Sequence, residues 1–128
     1  MIVLDASVLI AHLDATDNHH ERAGVILRDA VEEPLGASPI TLAEVLVGPA
    51  RAGEVDRATA LLHELDVTSL RLLDDAPARL AVLRADTGLK LPDCCVLLAA
   101  EQTRGAVATF DDRLANAATE RGLAVRTS

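Results

Sequence analysis

A chain of 128 residues, half of them hydrophobic, has room for one core that folds without disulfide or metal staples. Its formal charge of −8 excludes the broad basic surface by which most proteins grip nucleic acid, unless some of its acids ligate divalent cations and so invert the local charge. One Phe with no Trp or Tyr excludes a row of rings for stacking single-stranded bases, and two adjacent cysteines, Cys94 and Cys95, exclude a disulfide framework and a zinc site.

The opening run Met1–Leu4 is apolar and ends at Asp5, the pattern of a fully buried strand. Acids interrupt the apolar stretch that follows and no positive n-region precedes it. The start therefore reads as neither signal peptide nor membrane span, and with the unpaired cysteines it predicts a cytoplasmic protein. Ser7 is placed to cap a helix over Ser7–Leu13, which the polar stretch Asp14–Asn18 breaks. A second helix is predicted from His19 to about Val31, capped by Asn18 with Glu21 completing a weak capping box.

After Pro34, Leu35–Ala37 is a short strand candidate. Ser38 before Pro39 pairs a cap residue with proline at the first helical position, so a helix begins there; it carries Glu44 among apolar neighbours, and Gly48-Pro49 is expected to stop it. Glu54–Glu64 is another helix and Val67–Leu70 a strand. Asp74 or Asp75 caps a helix that Gly88 ends. Leu91-Pro92-Asp93 opens a helix that is apolar nearly all round, hence the buried central one, with Gly105 as its stop. Ala106–Thr109 is a strand, Asp111 begins a last helix ended by Gly122, and Ala124–Arg126 is a final strand. Alternating strand and helix is the signature of an α/β fold, a parallel sheet covered on both faces.

Ligands in such folds bind beyond the carboxyl ends of the strands. Asp5 and Asp111 fall there, Asp93 opens the central helix, and Glu44 lies about one turn into its own. Asp93 and Asp111 also suit plain helix-start roles, stabilised by backbone N–H groups and the helix dipole, and Glu44 an exposed helix stripe. Asp5 has no capping need as obvious. The set decides: two carboxylates about 4 Å apart repel by about 4 kcal/mol at an effective dielectric near 20, so four converging acids call for a cation. All-oxygen ligands, with no Cys or His at ligand spacing, select Mg²⁺ or Mn²⁺, ions that activate water and orient in-line attack on phosphorus.

These segments resemble the PIN domain. MIVLDASVLI is similar to its first strand and acid, with Ser7 two residues after Asp5; TLAEVLVGPAR, LPDCCVLLAA and ATFDDRL are similar to its later motifs, in family order, with Glu44, Asp93, Thr109 and Asp111 at the matching places. The resemblance covers nearly the whole chain, residues 1–128 as a single domain, and leans toward the VapC toxins of bacterial VapBC toxin–antitoxin pairs. It implies a three-layer sandwich with a central parallel sheet of four or five strands. It further implies a Mg²⁺- or Mn²⁺-dependent endoribonuclease cutting tRNA or rRNA, a homodimer, and a small antitoxin as partner. Asp5, Glu44, Asp93 and Asp111 would be its catalytic metal ligands, with Ser7, Thr109 and Asp112 supporting them. Arg51 and Arg113 are the basic residues best placed for RNA phosphates, and His19 and His20 lie in a polar region where RNA contact is conceivable. His12 and His63 read as helix-surface residues. Leu9, Leu13 and the helix 42–47 are expected to offer the antitoxin a hydrophobic groove.

Two rival readings also start from Asp5. An aspartate-based phosphatase puts a second Asp two residues after the first, where this chain has Ser7. A phospho-receiver domain wants an acidic pair at the first strand, a phospho-accepting Asp after the third and a Lys near the last, whereas Asp66 precedes its strand and Lys90 precedes a helix.

Overall fold

The computed structural model describes residues 1–127. Five strands, β1 (Ile2–Leu4), β2 (Leu35–Ala37), β3 (Val67–Ser69), β4 (Ala106–Ala108) and β5 (Val125–Arg126), form one sheet in the order β3-β2-β1-β4-β5. Every pairing in it is parallel. Seven helices connect and flank them: α1 (Ala6–Leu13), α2 (His20–Asp29), α3 (Pro39–Arg51), α4 (Val55–Glu64), α5 (Ala76–Thr87), α6 (Leu91–Thr103) and α7 (Asp112–Glu120). This is the α/β sandwich, at the upper of the two strand numbers the sequence implied.

The sheet divides the apolar residues into two cores. On one side Ile2, Leu4, Val8, Leu9, Ile26 and Leu62 pack under α1 to α4. On the other Val3, Leu83, Val96, Leu97, Val107 and Leu114 pack under α5 to α7. Adjacent residues of β1 thus face opposite cores, as the alternation of side chains along a strand requires. Seven consecutive residues of α6, Cys94–Ala100, are buried, so the central helix is apolar on every side. Leu97 is fully covered, and truncating it to Ala would cost about 2–5 kcal/mol.

Several element boundaries differ from the sequence reading. The cap of α1 is Asp5, not Ser7: its carboxylate accepts the Ala6 N–H. Helix α2 starts after His19 with no side-chain cap, because Asn18 is not its cap residue and Asp17 turns back onto the His19 N–H. It ends at Asp29, short of Val31. Helix α3 runs through Pro49 to Arg51. Proline there removes one donor near the helix end, while the Pro49 carbonyl still accepts from Ala52 and Glu54. Strands β3 and β4 each stop one residue early, β5 starts one late, and Asp75 precedes α5 without a side-chain bond. Gly105 has a second duty besides ending α6. A Cβ there would lie 2.8 Å from the Met1 carbonyl oxygen, so only glycine lets the chain enter β4 beside β1.

Candidate functional site

The strand order dictates where a site can form. From β1 the chain steps to β2 and β3 on one side, then crosses back to lay β4 against the other side of β1. The switch lies between the carboxyl ends of β1 and β4, where connections diverge and leave a crevice. Asp5 follows β1 and Thr109 to Asp111 follow β4, so both segments open into it.

Asp5 is 6% exposed and both of its oxygens accept hydrogen bonds. Oδ1 accepts the Ala6 N–H at 2.8 Å. Oδ2 accepts the Ser7 hydroxyl at 2.7 Å and the buried Thr109 hydroxyl at 2.7 Å. The hydroxyls also serve the other strand end: Thr109 Oγ1 accepts the Asp111 N–H at 3.0 Å and Ser7 Oγ accepts the Phe110 N–H at 3.1 Å. Asp5, Ser7, Thr109 and the backbone of Phe110 and Asp111 are therefore one network across the β1–β4 seam. Three bonds to one buried carboxylate, each stabilising by about 1.5–3 kcal/mol, fix its position firmly. Asp111 caps α7, its Oδ1 accepting the Arg113 and Leu114 N–H groups.

Glu44 and Asp93 complete the cluster from the helices. Burial, then the charge of Asp5, then that of Asp93, raise the Glu44 carboxyl above its ordinary range. Because Glu44 stays largely exposed, water blunts both effects. Asp93, half-buried, is raised by burial first and then by Asp5 and Asp111, with Lys90 and Arg113 pulling it back. Neither helix acid owes anything to a hydrogen bond. Four acids from four segments thus converge, Glu44 near Asp5 and Asp93, and Asp93 near Asp5 and Asp111.

No three His, Cys, Asp or Glu side chains are drawn tightly enough to cage a metal ion among the described residues. The donor chemistry still fits a hard divalent cation that keeps part of its own water shell, since all four donors are carboxylates and two are penalised as they stand. Glu44, Asp93, the unbonded oxygen of Asp111 and Asp5 Oδ1, which accepts a single hydrogen bond, are the groups available to hold it.

A family model of the PIN domain matches residues 2–120. The chain belongs to the PIN-domain family. Among solved structures it is similar to a toxin–antitoxin complex from Klebsiella pneumoniae, at 25% identity and TM-score 0.68, covering 87% of each chain. FitAcB from Neisseria gonorrhoeae superposes with TM-score 0.73 at 24% identity over 99% of this chain and 97% of that one. The Mycobacterium tuberculosis VapC20 structure, described as a sarcin-ricin loop cleaving toxin, gives 0.70 at 18% identity over 91% and 95%. No curated protein sequence matches the chain.

In this PIN domain the remaining sequence candidates separate. Arg113 lies close enough for its charge to act on Asp93, whereas Arg51, exposed at the end of α3, is absent from the charges acting on Glu44 and Asp93. Asp112 is the exposed first residue of α7 and is likewise absent from them, which leaves Asp111 as the acid of that pair near the others. Leu9 is wholly buried and cannot line an open groove. A shallow depression of about 240 Å³ does open beside Leu13, Pro49 and Leu61. His20 is occupied with the Ala11 carbonyl. Helix α1 carries His12 in its last turn, where burial and then His20 lower the imidazole's pKa. His63 is exposed in the last turn of α4. The sequence reading passed over Phe110: its ring stacks on His19 with centroids 4.7 Å apart, and the Arg22 guanidinium lies 4.8 Å from its centre. The available signal was that the chain's single aromatic stands between Thr109 and Asp111.

Proposed function

We propose that this PIN domain is a metal-dependent endoribonuclease, the toxin half of a type II toxin–antitoxin pair, with Mg²⁺ or Mn²⁺ as its cofactor and tRNA or rRNA as its substrate in the cytoplasm. The observation that carries the reading is the convergence of Asp5, Glu44, Asp93 and Asp111 at the β1–β4 crevice, with two of the four acids raised by burial and then by their neighbours' charges. Structural likeness to toxin–antitoxin proteins supports the biological half of it. A small antitoxin and a second copy of the chain are its proposed partners.

Asp5, Glu44, Asp93 and Asp111 would hold the ion, with Asp5 as the fixed point against which the others are set. When bound, such a cation supplies Lewis acidity toward a phosphoryl oxygen and lowers the pKa of a neighbouring water. Asp5 does not move, because Ser7, Thr109 and Ala6 hold it. Arg113 and Lys90, whose charges reach Asp93, would attract the RNA phosphate into a chain that is otherwise acidic. Ser7, at the position of a phosphatase's acid, has its hydroxyl engaged with Asp5 and the Phe110 N–H, so it supports the nuclease reading over the phosphatase one.

The test is cleavage of a labelled single-stranded RNA with Mg²⁺ or Mn²⁺ by the wild type and by Asp93→Asn. Metal-dependent cutting that the variant loses is the expected result. Equal rates in both would overturn the assignment, and trapping of phosphoryl from acetyl phosphate on Asp5 would favour the receiver or phosphatase chemistry instead.

A further inference from the structure

The one benzene ring of the chain lies where an otherwise aliphatic core does not require it. Every buried hydrophobic residue is aliphatic or cysteine, yet the loop between the buried Thr109 and the acid Asp111 carries Phe110. Phe110 rests partly on the core under α1 to α4, and its N–H is tied to Ser7 Oγ at 3.1 Å. The ring is thus anchored one residue from two members of the acid network. His19 lies against it nearly parallel, at 18° between planes, with 43% of the His19 side chain still open to water. Asp17 fixes the backbone beneath that imidazole, accepting the His19 main-chain N–H at 2.8 Å, and its carboxylate stands 3.9 Å from Nδ1. Arg22, one turn on, brings its guanidinium to the same ring while one of its nitrogens donates to the Thr127 carbonyl.

A half-exposed flat ring backed by a second ring, with a guanidinium alongside, is what a single unpaired nucleotide needs: a π-face for its base and a fork of donors for its phosphate. We propose that His19, Phe110 and Arg22 form a subsite for one unpaired nucleotide beside the acid cluster, the base stacking on the open face of His19 and the phosphate meeting Arg22. The substrate class rests on the ribonuclease reading above. In this subsite Phe110 is the fixed backing, His19 the contact surface and Arg22 the charge. They are positioning residues, which set where the strand lies relative to Asp5 and Asp93. Stacking reads no hydrogen-bond edge, so the subsite accepts any of the four bases but rejects a base kept in a duplex.

The test uses two readouts on the full chain. Anisotropy of a fluorescein-labelled single-stranded RNA 12-mer in Ca²⁺ measures binding, and cleavage of the same RNA in Mg²⁺ or Mn²⁺ measures turnover. His19→Ala is expected to raise both Kd and KM about tenfold with kcat held within about twofold, since it removes one stacking contact. His19→Trp is expected to restore both, and an abasic site at the stacked nucleotide to abolish the difference between wild type and His19→Ala. Binding that depends on His19 with no cleavage would keep the subsite and sink the nuclease reading. Cleavage indifferent to His19→Ala, or failure of His19→Trp to rescue, would sink the subsite and spare the nuclease. Absence of both binding and cleavage would overturn both. Equal melting temperatures for wild type and His19→Ala exclude a mere loss of folding.

Discussion

Asp5 and Asp111 stand at the ends of paired strands and commit oxygens to the protein itself, whereas Glu44 and Asp93 stand on α3 and α6 and receive no hydrogen bond from it. The strand-end acids are stabilising parts of the fold, as much a cap and a seam as a site. The helix acids are a liability as they stand, since burial and like charge both oppose their ionised forms. The site therefore divides labour: one half is fixed by hydrogen bonds, and the other half holds the repulsion that, in the proposed function, would favour binding of a cation. Any substitution that treats the four acids alike in both activity and stability would break this contrast.

The largest effect is expected at Asp93. Asp93→Asn should lower RNA cleavage by more than about 100-fold while melting in chelator stays level or rises, because a repelled charge is removed. Paired cleavage and thermal-melt measurements check both parts. Asp5→Asn, by contrast, should cost stability as well as activity, since an amide nitrogen cannot accept the two hydroxyls now shared by Oδ2. Next in size is Thr109→Val, which keeps shape but deletes a buried hydroxyl bridging Asp5 and the Asp111 N–H. A loss of about 3 kcal/mol in urea unfolding is expected, with a matching loss of activity.

A smaller effect separates the halves by pH. The folded Glu44 and Asp93 carboxyls hold their protons to higher pH than the unfolded values of 4.5 and 3.8. Their contribution is therefore fully present below the unfolded values and is lost as pH rises through the raised folded ones. Asp14, lowered by its bonds to Thr16, acts oppositely and loses its contribution as pH falls. His12, lowered by burial and His20, also favours the fold as pH rises toward 6.5. Urea titrations in chelator across the acid range should show wild type gaining less with pH than a Glu44→Gln/Asp93→Asn double variant. Identical pH profiles would mean the helix acids carry no stored repulsion. The smallest effect is expected from saturating Mg²⁺, a rise of a few degrees in wild-type Tm that the double variant lacks.

The strand-end half of the site was the more legible in the sequence. An apolar run closed by Asp5, and a second closed by Thr109 and Asp111, announce parallel strands with acids at their carboxyl ends, and Ser38-Pro39 marks the start of α3 correctly. The PIN-domain match then agrees with the order of motifs. What the sequence hid depends on distances between segments. That Asp5 rather than Ser7 caps α1 follows from Ser7 being turned toward the β4 loop, a contact across 103 positions. Pro49 failed to stop α3 because a proline near a helix end forfeits one donor and little else. Leu9 reads like its helical neighbours in one dimension, and only the packing of α1 on the sheet buries it completely. The His19–Phe110 pairing joins residues from opposite ends of the chain, which no periodicity could foretell.

The seam between β1 and β4 also sets when the protein becomes capable of chemistry. Ile2 pairs with Ala106 and Asp5 is bonded to Thr109, 104 positions away. A nascent chain emerging N-terminus first can thus shape α1 to α6 while its first acid still lacks the hydroxyl that fixes it. Competence comes only when β4 slots in beside the first strand synthesised. Translation itself becomes a delay line that leaves the acid cluster unfinished until nearly the whole chain has been made.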